Sequence, residues 1–424
     1  MLGRARSRSI VTTILWVVTT RLTAARQPCA KPSAPTKASA LIRIGEVALA
    51  EASQRLLTRL GRRAQVPRAP ADADAEWLTI ALCSAVPRAA VTAVTATGGS
   101  VGTTSRAALT VSYNDAGAAA GLPQKVFIKC TSTLAQRLML GLGGFIECEA
   151  GFYADVRPRL EIEAPHGYFA AVDARSWRSI LLLEDVLSTR GARFLGPQAK
   201  VSPQQLADLL SSVATWHRAL WNHRDLMRWR WLRSTAEQMR TIDALIGMAD
   251  RRGVGGRRSR NLTPASLRRR RHDLYAGMRR SMQLQAHAAQ TYLHGDLHVA
   301  NTYLTAAGTL GVCDWQVGLK GCWAHDVAYL LITALEIDER RSSESELLDH
   351  YRDRLSQAGG PRITREEAFL AYRRATFYPH FAWTYTLGRS RLQPSFQPQE
   401  VCLMMIERIS AAIVDLNSLE AVGL

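Results

Sequence analysis

Two short stretches constrain this chain more than any other: Tyr292-Leu-His-Gly-Asp-Leu-His-Val-Ala-Asn301, and then Gly311-Val-Cys-Asp-Trp-Gln316. Asp296 and Asn301 stand five apart, and Asn301 and Asp314 thirteen apart. One loop can then present a carboxylate and an amide oxygen while the next strand end presents a second carboxylate. Phosphoryl transfer needs this kind of equipment: a carboxylate to orient the attacking hydroxyl, and metal ions to neutralise phosphate charge. Asn301 and Asp314 are hard oxygen ligands of the type magnesium takes, and Asp296 is the candidate base.

The rest of the chain sorts around these stretches. Residues 27–40, rich in Pro, Ala, Lys and Ser, read as a linker, and the apolar spacing from Ala40 to about Leu60 suits a helix. Glu76-Trp77-Leu78 opens another helix. Strand–turn–strand alternation spans Thr97-Gly-Gly-Ser-Val-Gly102 and Ala107–Tyr113, and Asn114–Gly117 marks a turn. Lys125-Val-Phe-Ile-Lys-Cys130 and Ser179–Val186 read as strands, and residues 134–155 as helical. Beyond Pro203 the pattern is helical, as in Leu206–Trp221, apart from short strands at Tyr292-Leu293 and Leu310–Cys313. The implied class is α+β, with a small β-rich N-terminal lobe and a large helical C-terminal lobe. The expected division is a basic, partly disordered extension over 1–72, an N-lobe over 73–186 and a C-lobe over 187–424.

The spacing His-Gly-Asp, four residues, Asn, then a hairpin and Asp-Trp resembles the aminoglycoside phosphotransferase and choline kinase-like superfamily. The following Trp-Gln is similar to its ecdysteroid kinase-like branch. The resemblance covers roughly residues 75–400 and implies a bilobal protein-kinase-like fold, ATP and Mg²⁺ as cofactors, and a small hydroxylated acceptor. It implies that Asp296, Asn301 and Asp314 are catalytic, the last two as metal ligands. Gly98, Gly99 and Gly102 would form the turn over the nucleotide. Lys129 would contact the α- and β-phosphates, and Glu149 would pair with it. Lys125 shares the strand face of Lys129, and Glu147 stands two residues from Glu149. Both remain alternatives. Leu183-Glu184-Asp185-Val186 would be the hinge, with Glu184 and Val186 at the adenine, and Asp326 would stabilise the catalytic region.

The formal charge of +18 would suit a nucleic-acid binder, but it is concentrated. Residues 1–70 carry a net +11 and residues 251–280 a net +10, leaving the remainder near −3. No nucleic-acid motif accompanies the charge, so nucleic acid is not the expected partner. The alternatives are a catalytically silent nucleotide-binding protein, or a nucleic-acid-associated one using these two arms. Seven scattered cysteines, with no CxxC spacing, suit a reducing, cytoplasmic setting. Arg4, Arg6 and Arg8 before the apolar run Ile10–Val18 resemble the start of a signal peptide. The run is too short to span a bilayer, so no stable membrane insertion is expected.

Overall fold

The structure, a computed structural model, describes residues 36–59, 66–246, 248–389 and 397–424. The apolar run Ile10–Val18 and Cys29 lie outside the described residues.

Alternating side chains build the N-terminal sheet. Five antiparallel strands, β1 (Val91–Val101), β2 (Ser105–Tyr113), β3 (Lys125–Cys130), β4 (Gly167–Asp173) and β5 (Arg178–Glu184), lie in the order β1-β2-β3-β5-β4. Ala107, Leu109 and Val111 of β2 and Val126 and Ile128 of β3 face one core together with Leu78 and Leu82 of the helix Ala75–Cys83. That helix begins where the Asp74 side chain accepts from the Trp77 amide at 2.9 Å, a cap for an orphan N–H. Period two puts Arg106, Phe127 and Lys129 on the opposite face, which looks into the cleft.

Residues 134–155 are not one helix. Leu134–Gly143 ends at Gly144 in the left-handed region (φ 76°), and the chain restarts at Cys148–Gly151 with a π-helical turn over Phe152–Val156. Asn114 is a helix cap and not merely a turn, its side chain accepting from Gly117 N ahead of Asp115–Ala119. Val186 opens a short helix, Val186–Arg190, and does not extend β5.

The C-terminal part is α-helical around a second core, with short strands that shape its floor. These are β6 (Arg193–Phe194), β7 (Thr291–Leu293), β8 (Thr302–Leu304), β9 (Leu310–Val312) and β10 (Leu319–Gly321), paired as β6-β8-β9 and β10-β7. The helix Pro203–Ala219 opens on a Ser202–Gln205 capping box. Buried helices such as Ala324–Ala334 close the core. The mixed α/β class with a β-rich N-terminal lobe is therefore correct.

The segment 27–40 differs from the linker reading, because Lys37–Ala40 already belong to the helix Lys37–Arg59. That helix is docked on the N-terminal lobe. Glu51 lies between the fully buried Arg137 and Arg178, and Arg43 sits over the Trp177 ring. Among the described residues, no helix is long and apolar enough to cross a membrane.

Candidate active site

Lys129 is the penultimate residue of β3, where β2 and β5 flank it. Its side chain is almost fully buried, yet its Nζ lies 2.6 Å from Glu149 Oε2 and 2.8 Å from Asp314 Oδ1. Lys125 is exposed, and so is Glu147, so of the alternatives it is Lys129 and Glu149 that meet. Burial by itself would lower the lysine, but Asp314 and Glu149 outweigh it and hold the ammonium above its ordinary value. One ammonium between two carboxylates cannot serve both equally. Burial pushes Asp314 up, but Lys129 and Arg106 overcome it and bring it down to about 2. Burial, together with the nearby Asp314 charge, leaves Glu149 raised in spite of Lys129.

The loop carrying Asp296 is held from below. Asp326, fully buried, accepts from the amides of His294 (2.7 Å) and Gly295 (2.9 Å), and His217, itself bonded to Tyr351, backs it. Gly295 has φ 83°, and a Cβ there would meet the Val317 carbonyl oxygen at 2.2 Å. This explains the glycine of His-Gly-Asp. His294 Nε2 lies 3.0 Å from the Cys313 carbonyl, and the Cys313 amide donates to Asn301 O at 2.9 Å. These two bonds lock the loop to the end of β9. Asp314 follows in the left-handed region, φ 62°, a conformation non-glycine residues adopt mainly where surroundings impose it.

Asn301 donates through Nδ2 to Asp296 O (2.8 Å) and Asp296 Oδ2 (3.3 Å), so its amide oxygen is the group it can offer a cation. Asp296 is partly exposed at the cleft. Burial raises it, but His298, Tyr329 and His294 prevail and keep its carboxyl below the usual range; it is ionised at neutral pH. Among the described residues no group of three or more His, Cys, Asp or Glu could hold a metal. The donor set present, one amide oxygen and one carboxylate, fits a magnesium ion that takes its remaining ligands from water and phosphate.

The glycine turn is less uniform than its sequence suggests. Gly98 (φ 66°) sits in a bulge where the β1–β2 register slips between Thr97 and Ser100. Gly102 closes the turn, with its amide donating to Thr104 O, and Gln136 binds the Gly102 carbonyl. Added Cβ atoms at Gly98 and Gly102 would meet nothing within 4 Å, and at Gly99 only the Arg106 carbonyl at 3.8 Å. Only Gly98 is needed by the backbone itself, and the space over the turn is open. At the hinge, the Glu184 amide donates to His166 O and its carboxylate binds Thr189 and Arg190. The Glu184 amide and carboxylate thus brace the hinge. Val186, at the first helical position, has the amide without a helical acceptor.

Residues 233–359 match the ecdysteroid kinase-like family. The matched segment contains Asp296, Asn301, Asp314 and Asp326, and the match agrees with the branch that the motif resembles. No curated protein matches the chain. Solved structures similar to it include choline kinase LicA from Streptococcus pneumoniae, at 14% identity and TM-score 0.42 over 77% of this chain and 94% of that one. A microcompartment-associated aminopropanol kinase aligns at 11% identity and TM-score 0.47, over 76% and 91%. An ethanolamine kinase from Plasmodium vivax aligns at 10% identity and TM-score 0.41, over 75% and 81%.

Three features of the site escaped the sequence. Arg106 pairs in register with Lys129 across β2 and β3, and its Nη2 comes within 3.7 Å of Asp314 Oδ2; strand register was the signal that could have found it. Phe152, one helical turn after Glu149, stacks on Trp315, the residue after Asp314, with centroids 3.9 Å apart and planes 8° from parallel. The stack ties the turn after Glu149 to the residue after Asp314. Third, a cavity of about 250 Å³ opens within the matched segment and its neighbours, lined by Met227, Met278, Met282, Gln285, His325 and Tyr378. His325 also contacts the Gly295 carbonyl through Nε2 at 3.2 Å, so the cavity wall adjoins the loop that carries Asp296.

Proposed function

We propose that this chain transfers the γ-phosphate of ATP to a hydroxyl group of a small organic molecule. One observation carries the reading: a buried lysine from the β-rich lobe contacts both Glu149 and Asp314, at 2.6 and 2.8 Å. Burying a lysine and a glutamate beside the partly exposed Asp314 is a poor way to gain stability, and such clusters mark functional sites. In this reading Lys129 and Arg106 turn positive charge toward phosphate oxygens, and Gly98, Gly99 and Gly102 leave room for the backbone to approach them. Val186 offers its amide to the adenine. Asp296, ionised and tethered by Asn301, orients the acceptor hydroxyl and receives its proton. Mg²⁺ bound by Asn301 and Asp314 would supply neutralisation of phosphate charge. The cavity beside His325 and Tyr378 is the place for the acceptor. The N-lobe, 73–186, then binds nucleotide, and 187–424 carries the base and the acceptor site.

The test is a mass-spectrometric screen of hydroxylated compounds with Mg²⁺ and ATP, alongside calorimetric titration of the nucleotide. Asp296→Asn should abolish product while nucleotide affinity stays near wild type, and Asp314→Ala should weaken nucleotide binding. Turnover surviving in Asp296→Asn would overturn the assignment of the base. Nucleotide binding with no product from any acceptor would favour the silent binder.

A further inference from the structure

The helix Lys37–Arg59 docks with one face and leaves a second face that an ordinary surface helix does not have. Ala40, Val47 and Glu51 are buried on the docked side. On the outer side Leu41, Ile42, Leu49 and Leu56 are 69%, 66%, 72% and 59% exposed. At ~100° per residue these four fall within an arc of about 100°. Ala38, Gly45 and Ala52 fill the same arc and are exposed too. Between Ala38 and Leu56 no charged residue falls in that arc. A surface helix ordinarily turns charged and polar residues outward, so this stripe of Leu and Ile calls for a partner.

Charge indicates which one. The stripe is bordered on one side by Lys37 and Arg55, the latter paired with Glu51, and on the other by Glu46, which Arg43 engages at 2.6 Å; it belongs to the region of residues 1–70 with its net charge of +11. The helix packs against Thr235–Ile246, which in turn packs against Met248–Arg258 and Arg271–Ala286. Those helices and their connection carry the second basic concentration, in which Arg257, Arg260, Arg268, Arg269, Arg279 and Arg280 are exposed. The acid within it, Asp273, is engaged by Arg270 at 2.8 Å. An apolar stripe, and clustered arginines on helices one removed from it, match what an interfacial helix needs: side chains for the acyl boundary and cations for lipid phosphates.

We infer that the outward face of Lys37–Arg59, with the arginines of 257–280, docks this protein peripherally on an anionic lipid bilayer. A nucleic acid would use the arginines but give the Leu/Ile stripe nothing to contact, since such partners are gripped by charge and aromatic stacking. The inference is independent of the kinase reading, because none of these residues belongs to the cleft.

The experiment is co-sedimentation of the full chain with vesicles of phosphatidylcholine alone, or of equal parts phosphatidylserine and phosphatidylcholine. Binding should appear with the acidic vesicles and fall with added salt. The variant Leu41→Gln/Ile42→Gln/Leu49→Gln/Leu56→Gln and, separately, Arg268→Gln/Arg269→Gln/Arg279→Gln/Arg280→Gln should each weaken it by about tenfold or more. The melting temperature should stay near wild type, because all eight side chains are exposed. Three results would overturn the inference. The first is equal binding to both vesicle types or to neither. The second is retention on polyuridylic acid together with vesicle binding that the Leu/Ile variant does not change. The third is a dimer that the Leu/Ile variant converts to monomer with no change in vesicle binding.

Discussion

Replacing Glu51 by glutamine removes one carboxylate from between two buried guanidinium groups. Its Oε2 accepts from Arg137 Nη2 at 2.7 Å and from Arg178 Nη2, and its Oε1 accepts from Arg55 Nε at 2.9 Å. Arg137 and Arg178 are each 1% exposed. Removing one partner of a buried ion pair costs about 3–5 kcal/mol, because the charge left behind stays uncompensated. Arg137 keeps its bond to Ser176 O, and Arg178 keeps Gln54 Oε1, both at 2.9 Å, so the low end, about 3 kcal/mol, is expected. For the helix and lobe together, about 150 residues, that is a fall of roughly 6–12 °C in melting temperature. Burial raises Glu51, but Arg178, Arg55 and Arg137 together hold it below its ordinary value. Its contribution is therefore present above the unfolded pKa of 4.5 and is lost as pH falls through the folded one. The gap between variant and wild type should close in acid. Thermal unfolding at neutral pH, followed by circular dichroism, reads the effect. The triple variant Glu51→Leu/Arg137→Met/Arg178→Met should recover most of it, since a packed apolar set can replace a buried ion cluster. A melting temperature for Glu51→Gln within about a degree of wild type would refute the docking of this helix.

Phe152→Leu keeps most of the buried volume but loses the stack on Trp315, so stability should fall by only about 1–2 kcal/mol. Turnover should fall about tenfold, the effect of ~1.4 kcal/mol in the barrier, because Glu149 loses its tie to the segment bearing Asp314. A stability loss with unchanged turnover and nucleotide affinity would remove that link. Gly295→Ala must bear both the left-handed backbone and the clash with Val317, while Gly121→Ala, at φ 65° in open space, bears only the former, about 1–2 kcal/mol. The first should therefore melt lower than the second and lose activity; equal melting shifts would show that the catalytic loop relaxes freely. His217 and His325 are both lowered by burial, in spite of Asp326 beside them. A histidine whose folded pKa lies below its unfolded 6.5 contributes fully above that pH and less as pH falls through the folded value. Urea midpoints should thus be level above about pH 7 and decline toward about pH 5, and a level profile across that range would exclude these two as the acid-sensitive groups.

Some of this was legible in the residues alone because it depends on short separations. The spacings from Asp296 to Asn301 and Asp314, the run Lys125–Cys130 and the helix opening at Glu76-Trp77-Leu78 are written within a turn or a strand, where backbone periodicity and steric rules act locally.

Tertiary structure decided the pairings across long separations. Glu149 was chosen over Glu147 because a broken helix, with Gly144 before it and a π-turn after it, set the phase that turned one carboxylate inward and left the other in solvent. Arg106 joined Asp314 only through strand register, and Phe152 met Trp315 across 163 positions of chain. The helix that the spacing suggested from Ala40 onward is docked because Glu51 found two arginines 86 and 127 residues away. Sequence spacing fixes which groups a loop can present. Which distant charge or ring stands opposite is fixed by how elements pack, since desolvation rewards only the arrangement in which every buried partner is met.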